Sequence, residues 1–243
     1  MTFFKQVTKV LSLQAGKLGG TLIFYAIQQI VISLGITIGF TFLYADVDKS
    51  TLLYLATGAP TMIFIMCGFA ALPFQNSAAK TEGHITFLKT LPINRFAIIL
   101  ADTIIWLCVA MPGIVISTLC AHLLYSPGYS FSFTVIPACL LSAVTCIAIG
   151  YGFSYVLKPE NTMLVCMLCV FGGLMFSPVN FPLERLPAWL QAVHRILPVD
   201  AMAKIIRASF AKNAFSADLQ SYLLLICWCI AGYSAVAVII NKR

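Results

Sequence analysis

Charge is what this chain has least of: Asp, Glu, Lys and Arg make up 9% of its 243 residues, where soluble domains carry roughly a quarter. Hydrophobic residues supply 60% and the mean hydropathy is +0.96, so the chain reads as an integral membrane protein. No G-x-x-x-x-G-K-[ST] occurs, so it cannot cradle nucleotide phosphates through a P-loop. No H-E-x-x-H occurs either. Gly152-Phe-Ser-Tyr155 lacks the closing glycine of an intramembrane serine protease, and His84, His122 and His194 all lie outside the last apolar run. Cys166 and Cys169 have C-x-x-C spacing but neither a second pair nor a histidine cluster, and the nine cysteines read as small hydrophobes. No catalytic, metal-binding or cofactor-binding residue is expected on this chain.

The charge that is present has an order. The net charge is +7, but Lys and Arg flank apolar runs as they do in loops near a membrane, which argues against nucleic acid as a partner. Lys5, Lys9, Lys17, Lys80, Lys89, Arg95, Lys158, Lys242 and Arg243 fall on one side if the N-terminus is inside, against Lys49 alone in the short outer loops. Five further basic residues sit in the long segment before the last run and weaken that count without reversing it. Both termini are therefore expected in the cytoplasm, with the protein multi-pass in a prokaryotic inner or plasma membrane. Met1 to Lys17 shows no early apolar core with a small-residue cleavage site, so the first membrane helix is expected to act as an uncleaved signal.

Six apolar runs are long enough to matter, giving an all-α membrane fold. Residues 1–19 form an expected amphipathic helix, with Phe3, Phe4, Val7, Val10 and Leu11 on one side, lying on the lipid headgroups. Residues 20–74 hold runs one and two. Gln28 and Gln29 sit in the first, and because neighbours on a helix point about 100° apart, at least one is expected to face protein or a wet cavity. Gly35 and Gly39 form a G-x-x-x-G, a candidate for close helix packing. Pro60 is expected to break the second run. Residues 75–95 form a polar island, and residues 96–177 hold runs three to five. Asp102 is expected to act as an interfacial anchor or a partner for Arg95. In the short fifth run Met163, Met167, Phe171 and Met175 recur every fourth residue, a stripe of polarizable side chains that suits plain packing or a route for apolar cargo. Residues 178–215 are proline-rich, and two short amphipathic segments there, starting at Pro187 and Pro198, are expected to tuck into the outer interface with their cationic stems snorkelling. The sixth run, 219–240, closes the chain.

The polar island Lys80 to Arg95 reads by itself as an interfacial loop or a short amphipathic helix: Glu82-Gly83 at its entry, Ile85, Phe87, Leu88 and Leu91 as apolar contacts, Pro92 at its end. With Pro92-Ile93-Asn94-Arg95 at the exit, it resembles the cytoplasmic loop of ABC-2-type exporter permeases. A second stretch, Phe176-Ser-Pro-Val-Asn-Phe-Pro-Leu-Glu-Arg-Leu-Pro-Ala-Trp-Leu-Gln191 followed by Leu197-Pro-Val-Asp200, is similar to the segment before their last helix. His84-Ile85-Thr86 departs from the family's usual Thr-hydrophobe-Glu.

The resemblance implies six membrane helices per subunit and a coupling helix in the island, with Glu82, Gly83, Phe87, Leu88, Pro92 and Arg95 serving a separate ABC ATPase. That ATPase, in two copies per complex, would carry the ATP and Mg. A second permease subunit, identical or different, would complete a dimer. By the same resemblance Gln28, Gln29, Met163, Met167, Phe171 and Met175 approach the translocation pathway, while Pro182, Pro187, Trp189 and Pro198 belong to a re-entrant extracellular cap. A permease subunit exporting a drug, peptide or lipid-like substrate is the implied function. An ion-coupled secondary transporter and a non-transporting immunity factor stand as alternatives, although the two halves show no internal repeat.

Overall fold

A computed structural model describes residues 3–39, 42, 48–83 and 93–242. Among them there is no strand, only helices and connections. Nine helices follow in order among these residues: α1 Phe3–Leu34, α2 Lys49–Met66, α3 Leu72–Thr81, α4 Arg95–Tyr125, α5 Val135–Val156, α6 Pro159–Phe176, α7 Ala188–Ile196, α8 Pro198–Phe210 and α9 Leu219–Lys242. Among the described residues six helical stretches are long and apolar enough to cross a membrane: Gly19–Gly39, Lys49–Thr81, Phe96–Tyr125, Val135–Val156, Pro159–Phe176 and Leu219–Val236. In hydrocarbon no water can satisfy the backbone, so closed hydrogen-bonded helices are the form such runs take.

Local chemistry sets several ends. The Asp48 carboxylate accepts from the Thr51 N–H at 3.0 Å and starts α2, and the Asn94 side chain accepts from the Phe96 N–H at 2.9 Å and starts α4. Pro159 and Pro198 occupy first-turn positions of α6 and α8, where the missing N–H has no role. Pro187 is instead the N-cap residue of α7.

Two expectations about the first helices are corrected. The amphipathic N-terminus is no separate element, because α1 runs unbroken from Phe3 to Leu34 and on through a π-helical turn, Gly35–Gly39. Val7 and Val10 bury against Ala97 and Ala101 of α4 while Phe3 and Phe4 of the same stripe stay exposed, and Gln6 Oε1 accepts from the Asn94 N–H at 3.1 Å. An apolar stripe is satisfied by a neighbouring helix as well as by lipid, which is why amphipathicity alone could not place it. Nor does Pro60 break the second run. It lies buried inside α2, and a π-helical turn, Cys67–Ala71, joins α2 to α3, so that Lys49–Thr81 is helical over 33 residues. Packed neighbours stabilise a proline-containing helix that would bend or fray alone.

That long helix is the centre of the subunit, 89% buried in its apolar window. Around it stand α4, α5, α6 and the short α8, while α1 lies along α4 and α9 along α5. Because lipid tails are as apolar as leucine, helices inside a membrane associate through close packing and hydrogen bonds rather than through the hydrophobic effect. Here the close approach is made by Gly68 and Gly150. A Cβ on Gly150 would sit 1.9 Å from the Gly68 carbonyl oxygen, and one on Gly68 would sit 2.5 Å from Cys146 Cβ. A Cβ on Gly35 or Gly39 would meet none of the described residues within 4 Å, so neither glycine makes a close helix approach within the subunit.

Candidate functional site

Three surfaces carry the residues singled out by the sequence. The first lies where α3 ends. At about 1.5 Å per residue the 33 helical residues of Lys49–Thr81 extend roughly 50 Å, well beyond the ~30 Å of a hydrocarbon core. The polar side chains Gln75, Asn76, Lys80 and Glu82 gather at the C-terminal end of α3. Glu82 caps α3 at its C-terminus, and Gly83 follows at φ 74°, the left-handed conformation that ends helices and suits glycine. Glu82 and Gly83 thus close the preceding helix instead of opening a new one. Phe87, Leu88 and Pro92 lie outside the described residues, while Arg95 begins α4.

Lys80 fixes this end of the helix. Its ammonium donates to the carbonyls of Ser154 and of Leu157, the latter at 3.3 Å, and stands 5.6 Å from the Tyr155 ring centroid. These carbonyls close α5, where a cation is favoured by the helix dipole. Tyr155 stacks on Tyr151 at 6.0 Å, and the Tyr151 hydroxyl donates to the Asp102 carboxylate. A continuous set of contacts thus runs from α3 through the end of α5 to α4. Asp102, expected as an interfacial anchor or a partner for Arg95, has Tyr151 as its hydrogen-bond donor. Ser154 is a buried structural residue that accepts from Asn76 Nδ2 at 3.2 Å.

The second surface is the outer face of α6 and α1. Met163, Met167, Phe171 and Met175 are between 44% and 61% exposed, so the stripe points away from the subunit. Gln29 is buried where Gly113 of α4 meets its backbone, and Gln28 is exposed, as the angular argument required. The subunit does not bring glutamines and methionines into one site, because α1 packs on α4 whereas α6 packs on α2 and α3. Helix α2 offers little open surface at all.

The third is the segment between α6 and α9. A family model described as ABC-2 type transporter matches residues 12–211, from α1 to the end of α8. The chain belongs to the ABC-2 type transporter family. A search of the curated proteins finds no match. As an ABC-2 type transporter it is a multi-pass membrane component, not itself a catalyst, of a family that works with ABC ATPases. In this member of the family Pro198 is buried at the start of α8, Pro182 is half-buried, and Pro187 and Trp189 are exposed, Trp189 at 68%.

Helix α8 departs from the sequence expectation. Eleven of its residues, from Pro198 to Phe210, are buried, and Arg207 does not snorkel. Its guanidinium donates to the carbonyls of Pro178, at 3.1 Å, and Val179, and lies 3.6 Å over the Tyr54 ring centroid. The Tyr54 hydroxyl donates to the Phe181 carbonyl at 3.0 Å, and a Cβ on Gly58 would meet the Val179 oxygen at 2.5 Å. The chain from Pro178 to Phe181 is thus clasped between α2 and α8. Burial lowers the Arg207 pKa to about 10, with Tyr54 and Asp200 acting in the other direction, so the side chain remains charged at neutral pH. Sequence reasoning missed Lys80, Tyr151, Tyr54 and the Gly68–Gly150 contact, whose partners are 74 or more residues away in the cases of Lys80 and Tyr54. The one local signal was the small pair Cys146 and Gly150, one helical turn apart.

Proposed function

We propose that this chain is the permease subunit of an ABC exporter that moves an apolar or amphipathic substrate outward across the cell membrane. ATP and Mg bind a separate ATPase subunit, present in two copies, and a second permease subunit, identical or different, completes the pathway. Both termini face the cytoplasm. The observation that carries this reading is the α2–α3 helix: it is too long for the apolar layer, is buried along its apolar length, and delivers Glu82 and Gly83 to its C-terminal end. Such a helix transmits a push from below as a rigid body.

The outward stripe from Met163 to Met175 supports the rest of the proposal. On an isolated subunit it faces nothing, and facing a second subunit it lines one side of an apolar route. Methionine adapts to varied shapes, which suits a range of apolar cargo. The test is purification of the chain with its co-expressed partners, followed by reconstitution in vesicles. A co-purifying ATPase, hydrolysis stimulated by apolar compounds and vanadate-sensitive export are the expected results. Export driven by an ion gradient and indifferent to vanadate would overturn the proposal.

A further inference from the structure

Helices α4 and α5 part toward the end of the subunit that carries their connection, and a cavity of about 620 Å³ lies between them. Phe64 of α2 forms its floor, and its open side is bounded by Met111, Val115 and Leu119 on α4 and by Ile136 and Leu140 on α5. Those five are 43% to 71% exposed, so the cavity is a groove that opens sideways from two membrane spans. Among the described residues no Asp, Glu, Lys or Arg lines it.

Polarity along the groove is graded. Leu107 and Phe64 make one end wholly apolar, while Thr118, His122 and Tyr129 gather at the other, close to the left-handed Ser126 that ends α4. The Thr118 and Tyr129 hydroxyl oxygens are buried and have no hydrogen-bond partner among the described residues. From Leu107 to His122 the α4 axis rises about 22 Å, more than the ~15 Å that one leaflet contributes to a ~30 Å hydrocarbon core. Spread over that length, 620 Å³ corresponds to a channel roughly 6 Å across, too narrow for a helix, whose diameter with side chains is about 10–12 Å.

We propose that this groove binds one acyl chain of a bilayer phospholipid, with the chain end at Leu107 and Phe64 and the ester end at the level of His122 and Tyr129. The location makes lipid the molecule that reaches it, and the width fits a single hydrocarbon chain. The lack of fixed charge suits a neutral hydrocarbon, and the hydroxyls at one end suit ester oxygens. The site is separate from the stripe on α6, and it depends on the membrane placement of α4 and α5, not on the direction of transport or the identity of its cargo.

The test uses the purified transporter in nanodiscs of phosphatidylglycerol containing a fraction of the same lipid with a photoreactive diazirine midway along one chain, with labelled residues mapped by mass spectrometry. Residues 111–119 and 136–140 should be labelled at least fivefold more than Ile23 to Val31, an equally exposed face of α1. Val115→Trp, which fills the groove from its open side, should reduce that labelling at least fivefold and leave α1 unchanged. Leu140→Trp does the same from the opposite wall should the first variant not assemble, and Leu168→Trp on α6 should change nothing. Equal labelling of α1 and the groove, or labelling indifferent to both groove substitutions, would overturn the proposal. So would a groove protected from lipid and crosslinked instead to a second copy.

Discussion

The Arg207 guanidinium lies 3.6 Å over the centroid of the Tyr54 ring, so a charged group from the segment before the last helix is stacked on the central helix α2 and covered by it. Desolvated cation–π contact is worth about 2 kcal/mol, and a charge-assisted hydrogen bond about 1.5–3 kcal/mol. Arg207→Ala removes the stacking and leaves the Pro178 and Val179 carbonyls without their donor. A loss of about 2–4 kcal/mol is expected, read as a lowered Tm of the detergent-purified protein. Arg207→Lys should recover less than half of it, since an ammonium cannot stack and fork at once. An unchanged Tm in Arg207→Ala would contradict the clasp.

Gly150 leaves no room for a side chain against the Gly68 carbonyl. Gly150→Ala must push α5 away from the π-helical turn after α2, at a cost of about 1–3 kcal/mol. Gly35→Ala, whose added Cβ would meet nothing within 4 Å, should leave the stability within ~0.5 kcal/mol of the parent and the Tm nearly unchanged. Equal Tm values for the two alanine variants would sink the assignment of the close contact.

Glu82 stands at the C-terminal tip of α3, and Phe87 follows beyond the described residues. Glu82→Arg and Phe87→Ala should leave membrane insertion and Tm unchanged while at least tenfold less export accompanies each ATP hydrolysed. Parent rates of export in both variants would exclude docking at this tip.

Met167 is 44% exposed on the outward stripe. Met167→Cys is expected to crosslink two permease subunits with a short thiol-specific reagent, above the background from the native cysteines. Leu168→Cys, turned about 100° away on the same helix, should not. Equal crosslinking at both positions would place the partner elsewhere.

Asp48 is held at about 2, below the usual carboxylate value, by hydrogen bonds from Ser50 and from Thr51 at the start of α2. A depressed acid stabilises the folded helix end fully above its unfolded value near ~3.9 and loses that effect as pH falls through the folded one. Protection of the Thr51 amide from hydrogen exchange should therefore persist at pH 4 and collapse near pH 2. Ser50→Ala should move the midpoint upward, and an Asp48 titration near pH 4 in the parent would contradict the cap.

Much of the membrane architecture was legible one residue at a time. Apolar runs of sufficient length, with their charge confined to the joins, determine six crossings. The family signatures around Lys80 to Arg95 and Phe176 to Asp200 agree with a match that extends over residues 12–211. That at least one of Gln28 and Gln29 faces protein also followed from helical geometry, while the structure alone showed that the buried one is Gln29. These features are local, fixed by composition and by the period of the helix.

What the sequence could not decide was which apolar or charged face meets which neighbour. The stripe of Val7 and Val10 has the same pattern whether it rests on lipid or on Ala97 and Ala101, and Arg207 reads as a snorkelling cation until Tyr54 and the carbonyls at 178 and 179 are seen around it. A proline or G-x-x-x-G likewise has no fixed consequence, since Pro60 is stabilised by packing and Gly35 makes no close helix approach within the subunit. Tertiary structure alone made the continuous 33-residue helix, the Gly68–Gly150 contact and the groove between α4 and α5, because each depends on the separation of helices whose residues are far apart in the chain.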